Sequence, residues 1–317
     1  MSKPIYKLLD WIDINKLDIE FLSKNENAIA FLEQNPDLIN WHYLSGNKNA
    51  EELLLANKNK IKLNRSNIGL NENLKIIDEI IKPNINIISN SQLSLNKNTV
   101  KLLVDKYPEK INWALLSLNT SDEAMEYLEI NQEKICWFNL SLNTNDKAIK
   151  ILINNQDKIQ WALFSSNSNT KAVELLLKNL DKINWCYLSK NSNDKAVELL
   201  LKNQSKIDWN RFSLNTNDKA IDLLLKNPDK INWVLLLVEN YNPRIIDIIK
   251  NNLDKLGELE WCLLSENPYI FKLDYYKMTE NFMKLKEEII TEAMNPKRIC
   301  KYLEIENYDY FEEMYGY

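Results

Sequence analysis

The chain has 317 residues, 45% of them hydrophobic, which is ample for a buried core. Its 45 acidic and 40 basic side chains leave a formal net charge of -5, so the electrostatic footprint of a nucleic-acid binder is missing at the level of the whole chain. Only Gly46, Gly69, Gly257 and Gly316 are glycines, and their scatter excludes the clustered glycines of a Rossmann or P-loop phosphate cradle.

No apolar run approaches the roughly 18 residues of a membrane span, so none is expected. The opening Met-Ser-Lys-Pro-Ile-Tyr lacks the apolar stretch of a signal peptide. An intracellular, non-secreted protein is the expectation. Cys136, Cys186, Cys262 and Cys300 lie far apart, form no Cys-x-x-Cys pair and read as small packing residues. The lone histidine, His42, has no companions for catalysis. No carboxylate cluster stands out from surface charge. The sequence therefore suggests no enzyme, cofactor or metal.

Residues 1–18 read as an N-terminal capping segment, with Tyr6, Leu8, Leu9 and Trp11 covering the first repeat. From 19 to 269 the chain repeats itself. The first units are sometimes two residues short, as in "SKNENAIAFLEQNPDLINW", and the fourth is degenerate around "IKPNINIISNSQLSLN". The most regular stretch is 110–237, where Trp113, Trp137, Trp161, Trp185, Trp209 and Trp233 keep a strict 24-residue interval. Ladders of Ser (117, 141, 165, 189, 213), Asn (119, 143, 167, 191, 215 and 131, 155, 179, 203, 227), Ala (124, 148, 172, 196, 220) and Lys (110, 134, 158, 182, 206, 230) share that interval. Counting outward by Ser23, Ser45, Gly69, Ser94, Leu237 and Ser265 gives eleven units.

Each unit holds one clear helix. In "TNDKAIKILINNQ", Ala148, Ile149, Ile151 and Leu152 recur at helical spacing, and Thr144, Asn145 and Asp146 supply cap oxygens and an early acid. "TSDE" (Thr120 to Glu123) reads as a capping box. Asn155 is expected to stop the helix in a left-handed conformation. "INWALLS" is a second element of one or two turns, α or 3₁₀, with a strand as the rival reading. Helices this short are unstable alone, so each unit must stack on its neighbours. The tryptophans are expected to fill the gaps between adjacent helices, the alanines to mark close approach, and the asparagines to bond turn backbone. Pairs such as Lys195/Glu198 and Lys219/Asp222 fall three apart on helix faces.

From 270 the period disappears. "YKMTENFMKLKEEIITEAM" and, after Asn295-Pro296, "NPKRICKYLE" read as a C-terminal helical cap, followed by an acidic, tyrosine-rich tail to 317. The fold class expected is all-α: an α-solenoid of about eleven short helix–helix units (α plus short α or 3₁₀) with helical caps, a built rod whose curvature the sequence does not fix.

The phrase "NPDKINW" (Asn227 to Trp233), with "LLLKN" and "LSLN", resembles the leucine-rich-repeat-variant solenoid, whose 24-residue units alternate α and 3₁₀ helices. A closer likeness is to tandem-repeat proteins of unknown function in giant DNA viruses. Those chains open much like "LLDWIDINKLD" (Leu8 to Asp18), repeat units like "NAIAFLEQNPDLINWHYLS", and close on a helical tail similar to "EEIITEAMNPKRICKYLE" (Glu287 to Glu304). The likeness covers nearly the whole chain and brings no catalytic residues. It departs at Ile19 and Ile87, near where Trp is expected, and in units three and four. What it implies is a viral protein, either a host-directed adaptor in the host cytoplasm or a virion-associated component.

Partner specificity belongs where units differ. Directly after each Trp stand Ala114-Leu115, Phe138-Asn139, Ala162-Leu163, Cys186-Tyr187, Asn210-Arg211 and Val234-Leu235. Phe138, Asn139, Tyr187, Asn210 and Arg211 are the candidate partner-binding residues. The function expected is a non-enzymatic protein–protein interaction scaffold, a monomer that binds a protein or peptide. The alternative is a nucleic-acid-binding helical-repeat protein, against which the acidic total and the acids beside the lysine ladder weigh.

Overall fold

The computed structural model describes residues 4–63, 67–295 and 298–299. The chain divides into two compact units, Leu9–Ile270 and a smaller one built from Met1–Leu8 and Phe271–Tyr317. The fold is all-α and repetitive, apart from the antiparallel pair β1 (Tyr6–Leu8) and β2 (Phe271–Leu273) of the smaller unit.

One repeat shows how the larger unit is made. A 3₁₀ turn, Gln156–Lys158, leads to buried Ile159, a four-residue helix Trp161–Phe164, and a longer helix Thr170–Leu177. Phe164, Ala172, Val173 and Leu176 are fully or almost fully buried. Four residues cannot hold a helix by themselves. Here Ser165 fixes it: its Oγ donates to the Trp161 carbonyl (2.8 Å) and accepts the backbone N–H of Asn184 in the next unit (3.0 Å). The same acceptance recurs at 2.8–3.0 Å from Ser23, Ser45, Ser94, Ser117, Ser141, Ser189 and Ser213. Ser165→Ala should therefore cost about 1–3 kcal/mol by leaving that N–H without its acceptor, readable as a lowered urea midpoint.

Two asparagine ladders sew the units together. Asn167 Nδ2 donates to the carbonyls of Ser141 (3.1 Å) and Asn143 (2.9 Å) in the preceding unit. Asn169 Nδ2 reaches back to the Thr144 carbonyl (2.9 Å), while its Oδ1 caps its own helix by accepting the Lys171 N–H. The third ladder ends helices differently from the sequence expectation. Asn155 has φ -133° and ψ 54°, outside the left-handed region, and its Nδ2 caps the Ile151 carbonyl at 2.8 Å. The side-chain amide, rather than a change of backbone hand, stops the helix. In "TSDE" the cap is Ser121, which accepts the Ala124 N–H, and not Thr120.

These ladders do not stop at the ends. Asn25 Nδ2 donates to the carbonyls of Ser265 (3.0 Å) and Asn267 (2.8 Å), Asn27 Nδ2 to Pro268 O (3.0 Å), and the Asp18 N–H to Ser265 Oγ (2.8 Å). Each is the bond that joins consecutive units elsewhere, made here between residues at least 240 apart. Unit one begins with its own 3₁₀ turn, Ile14–Lys16, and short helix, Ile19–Leu22, which packs on Glu258–Glu266 of unit eleven. The array is thus a closed ring of eleven units, turning roughly 33° from each to the next, where the sequence indicates a rod of stacked units and no particular curvature. Residues 14–18, assigned to a cap from sequence, form the opening turn of unit one. Closure leaves no unit with an uncovered stacking face.

Irregular units keep the ring while breaking the pattern. A Cβ on Gly69, which stands in the serine ladder, would lie 2.8 Å from Gln92 and Ile88 side-chain atoms. Pro83 cannot donate within a helix, and the preceding turn widens into a π-helix at Ile77–Ile81. In unit four Asn90, rather than Ile87, opens the short helix as Trp does elsewhere. Between units ten and eleven Leu237 replaces serine, and Asn267 Nδ2 is buried without a hydrogen-bond acceptor.

In the smaller unit Tyr6, Lys7 and Leu8 pair with Leu273, Lys272 and Phe271, and the Asp274 N–H donates to the Ile5 carbonyl (2.8 Å). Asp274 then caps a 19-residue helix, Tyr275–Ala293, in which no residue is buried. Cys300, Lys297, Lys301 and the tyrosine-rich tail lie outside the described residues.

Candidate interaction surface

Within each short helix, the buried fourth residue and the isoleucine two before Trp fix which side faces in. The residue after Trp consequently faces out. Ala114, Phe138, Ala162 and Asn210 are exposed there, while Cys186 and Val234 are half-buried. Phe138 is 56% exposed, a large ring on a rigid turn.

The other candidates are tied into the frame. Asn139 Nδ2 donates to the Ala114 carbonyl of the preceding unit (2.7 Å). Asn210 Oδ1 accepts from Asn232 Nδ2 of the following unit (3.1 Å). Arg211 lies over the Tyr187 ring, 4.2 Å from its centre. Beside them Cys186 Sγ donates to Asp208 Oδ2 at 2.9 Å, and Asp208 Oδ1 accepts the Arg211 N–H. Tyr187 and Arg211 are thus brought together in one cluster, whereas Phe138 stands on its own.

The tryptophans do not fill the interior as their spacing suggests. Trp113, Trp137, Trp161, Trp185, Trp209 and Trp233 are half-buried, and only Trp261 is in the core. The interior is filled by the isoleucines, leucines, phenylalanines and alanines of the other ladders. Outer indole faces receive lysines instead. Lys182 lies 4.4 Å over Trp161, Lys206 4.1 Å over Trp185, and Lys230 4.3 Å over Trp209. Lys16 repeats this over Trp261 (5.2 Å) across the ring closure. Three of the six lysines of the ladder, Lys182, Lys206 and Lys230, therefore have a structural task as cation–π partners of the indole one unit before. The signal is present in sequence: with lysine three residues before each Trp, the lysine of one unit falls 21 residues after the Trp of the last.

Charged pairs show the same preference for neighbours. Lys195 pairs with Glu174 (2.9 Å) and Lys219 with Glu198 (2.7 Å), across units rather than three residues along one helix. These lysines hold both glutamates below the usual carboxylate range by donating hydrogen bonds to them.

Cys136, Cys186 and Cys262 are half-buried, and the last two bond to the next unit. Hydrogen bonding to Asp208, with burial second, pushes the Cys186 thiol up. Burial, then the Cys262–Asp18 contact (3.4 Å), pushes Cys262 from an ordinary 9.0 to about 11. The folded state therefore holds a proton that the unfolded chain releases. That contribution is complete below about pH 9 and lost as pH rises towards 11. We expect the urea midpoint to fall over this window, and Cys262→Ala to flatten the slope.

Among the described residues, no group of three or more His, Cys, Asp or Glu is placed to hold a metal, and no helix is long and apolar enough to cross a membrane. Compared with protein-family models, with curated proteins and with solved structures, the chain finds no match in any of the three.

Proposed function

We propose that this chain is a non-enzymatic scaffold that presents the short-helix surface of its ring to a protein or peptide. Exposed Phe138 carries the reading. The ladder positions are occupied in joining units, whereas the outward position after Trp is free to vary, and there a large aromatic stands in water. Aromatic and arginine side chains on a rigid support are the usual anchors of protein interfaces, and Tyr187 with Arg211 offers a second such pair. On the resemblance to giant-virus repeat proteins, the scaffold acts as a host-directed adaptor or sits in the virion.

A photo-crosslinking residue placed at Ala162, between the two anchors in sequence, tests this in extracts of the producing cell. A discrete protein adduct, lost in the Phe138→Asp, Arg211→Glu double variant, is expected. An adduct unchanged by the double variant, or none at all, overturns the proposal. The nucleic-acid alternative has one observation in its favour: Lys158, Lys182, Lys206 and Lys230 are exposed at one place in successive units. A salt-dependent gel shift of single-stranded RNA, unaffected by the double variant, would select it.

A further inference from the structure

We propose that the ring carries a gate: it opens and recloses between units ten and eleven, while unit eleven stays fastened to unit one. The three ladders that sew the units are interrupted together at this junction. Leu237 offers no hydroxyl where nine serines accept the N–H of the following unit. Asn267 stands where Asn240 donates to the Ser213 (3.0 Å) and Asn215 (2.9 Å) carbonyls, yet its Nδ2 has no acceptor. Tyr269 stands where Asn242 donates to the Thr216 carbonyl (2.9 Å), and it has no amide to give. Gly69 and Ser121 interrupt single ladders elsewhere, and their junctions keep other bonds. Asn96 reaches back to the Gly69 and Asn71 carbonyls and Asn98 to that of Glu72, while the Asn112 N–H and Asn119 Nδ2 both donate to Ser94. Among the described residues, no hydrogen bond, ion pair or cation–π contact joins 233–250 to 257–270.

What replaces them is apolar. The step from Trp233 to Trp261 is four residues longer than the regular 24. The helix Trp233–Glu239 runs through the ladder position instead of stopping before it, and packs along Glu258–Glu266. Leu236, Leu237, Trp261 and Leu264 are buried here. Apolar burial is strong but has no direction, so it fixes neither the angle nor the register of two units as a bonded ladder does. Closure also buries the Asn267 amide without a protein acceptor, a cost that is relieved when the seam opens to solvent. On its other side unit eleven is fully bonded. Asp18, Asn25, Asn27 and the Lys24–Glu266 ion pair (3.0 Å) hold it to unit one. The chain's link through 251–257 is kept when the seam parts, so the movement is a hinge, and the ring changes curvature without unfolding a unit. The gate does not depend on the partner surface proposed above.

Pulsed iodoacetamide labelling of the full chain, mapped by mass spectrometry, tests it with a thiol placed at three points of one ladder: Leu237→Cys, Ser189→Cys and Ser265→Cys. All three positions are at most 2% exposed in the closed ring. The thiol at 237 is expected to react at least about tenfold faster than those at 189 and 265. Its rate should barely change with urea below the unfolding transition, because a hinge exposes little surface. Adding Tyr269→Asn returns the missing amide while the 237 substitution stays the same. It should slow the reaction at 237 about fivefold or more and leave 189 and 265 unchanged. Equal rates at 237 and 189 overturn the gate. So does a thiol at 265 as fast as that at 237, since unit eleven would then fray as a whole. A reaction at 237 that appears only as the chain unfolds, or one that Tyr269→Asn leaves unaltered, also overturns it.

Discussion

Replacing Asn25 with alanine is expected to cost about 2–4 kcal/mol and to loosen two segments at opposite ends of the array together. Asn25 is almost fully buried; its Nδ2 holds the Ser265 and Asn267 carbonyls, and its Oδ1 accepts the Asn27 N–H at 3.0 Å. Alanine strands the two carbonyls and frees the turn. In an open rod Asn25 would sit in an end unit with nothing before it, and the change would cost a few tenths. In a closed ring it opens one junction while ten others hold. Hydrogen exchange should then quicken in 14–38 and in 253–270 alike. Asn143→Ala, which removes bonds to Ser117 and Asn119, is the internal comparison and should cost a similar amount. Faster exchange in 14–38 alone, or an Asn25 effect far below that of Asn143, would return the array to an open rod.

Much of this architecture is legible in the sequence because a solenoid writes one junction many times over; the serine bond alone recurs at nine of the eleven. A constant interval in Ser, Asn and Ala is the imprint of one junction reproduced, and it yields the helices and the stacking. Closure is not legible. Curvature is the sum of small rotations, and no single residue encodes it. Asn25 and Asn27 hint at it, since an asparagine that reaches backwards has no target in a first unit unless the last one arrives there. The indoles mislead because a large aromatic is a good core residue on average, yet here the same unit supplies smaller residues that pack flush. A lysine ladder in step with the tryptophans looks like solvated charge, although the offset between the two ladders places an ammonium over the preceding ring. Of the candidate contact residues, sequence finds the outward position after Trp. It does not reveal that Asn139 and Asn210 bond across units, because those contacts span 25 and 22 residues.

The placement of the indoles sets the second large effect. Phe164→Ala should cost about 3–5 kcal/mol, because the ring is fully buried and its removal leaves a cavity in a packed core. Trp161→Ala should cost about 2 kcal/mol. Its ring is already partly in water, so the area term is reduced, and the contact with Lys182 adds no more than an exposed cation–π pair supplies. The two rings touch, with centroids 5.8 Å apart and planes at 82°, so the double variant should fall short of the sum of the singles. Urea unfolding of the three variants measures all of this at once. Equal losses from Phe164 and Trp161 would mean that the tryptophans do carry the core and that their half-exposure misstates their weight. The expected inequality gives the ladder a different purpose. The buried residues hold the units together, and the half-buried indoles under Lys182, Lys206 and Lys230 lie beside the variable position after each Trp.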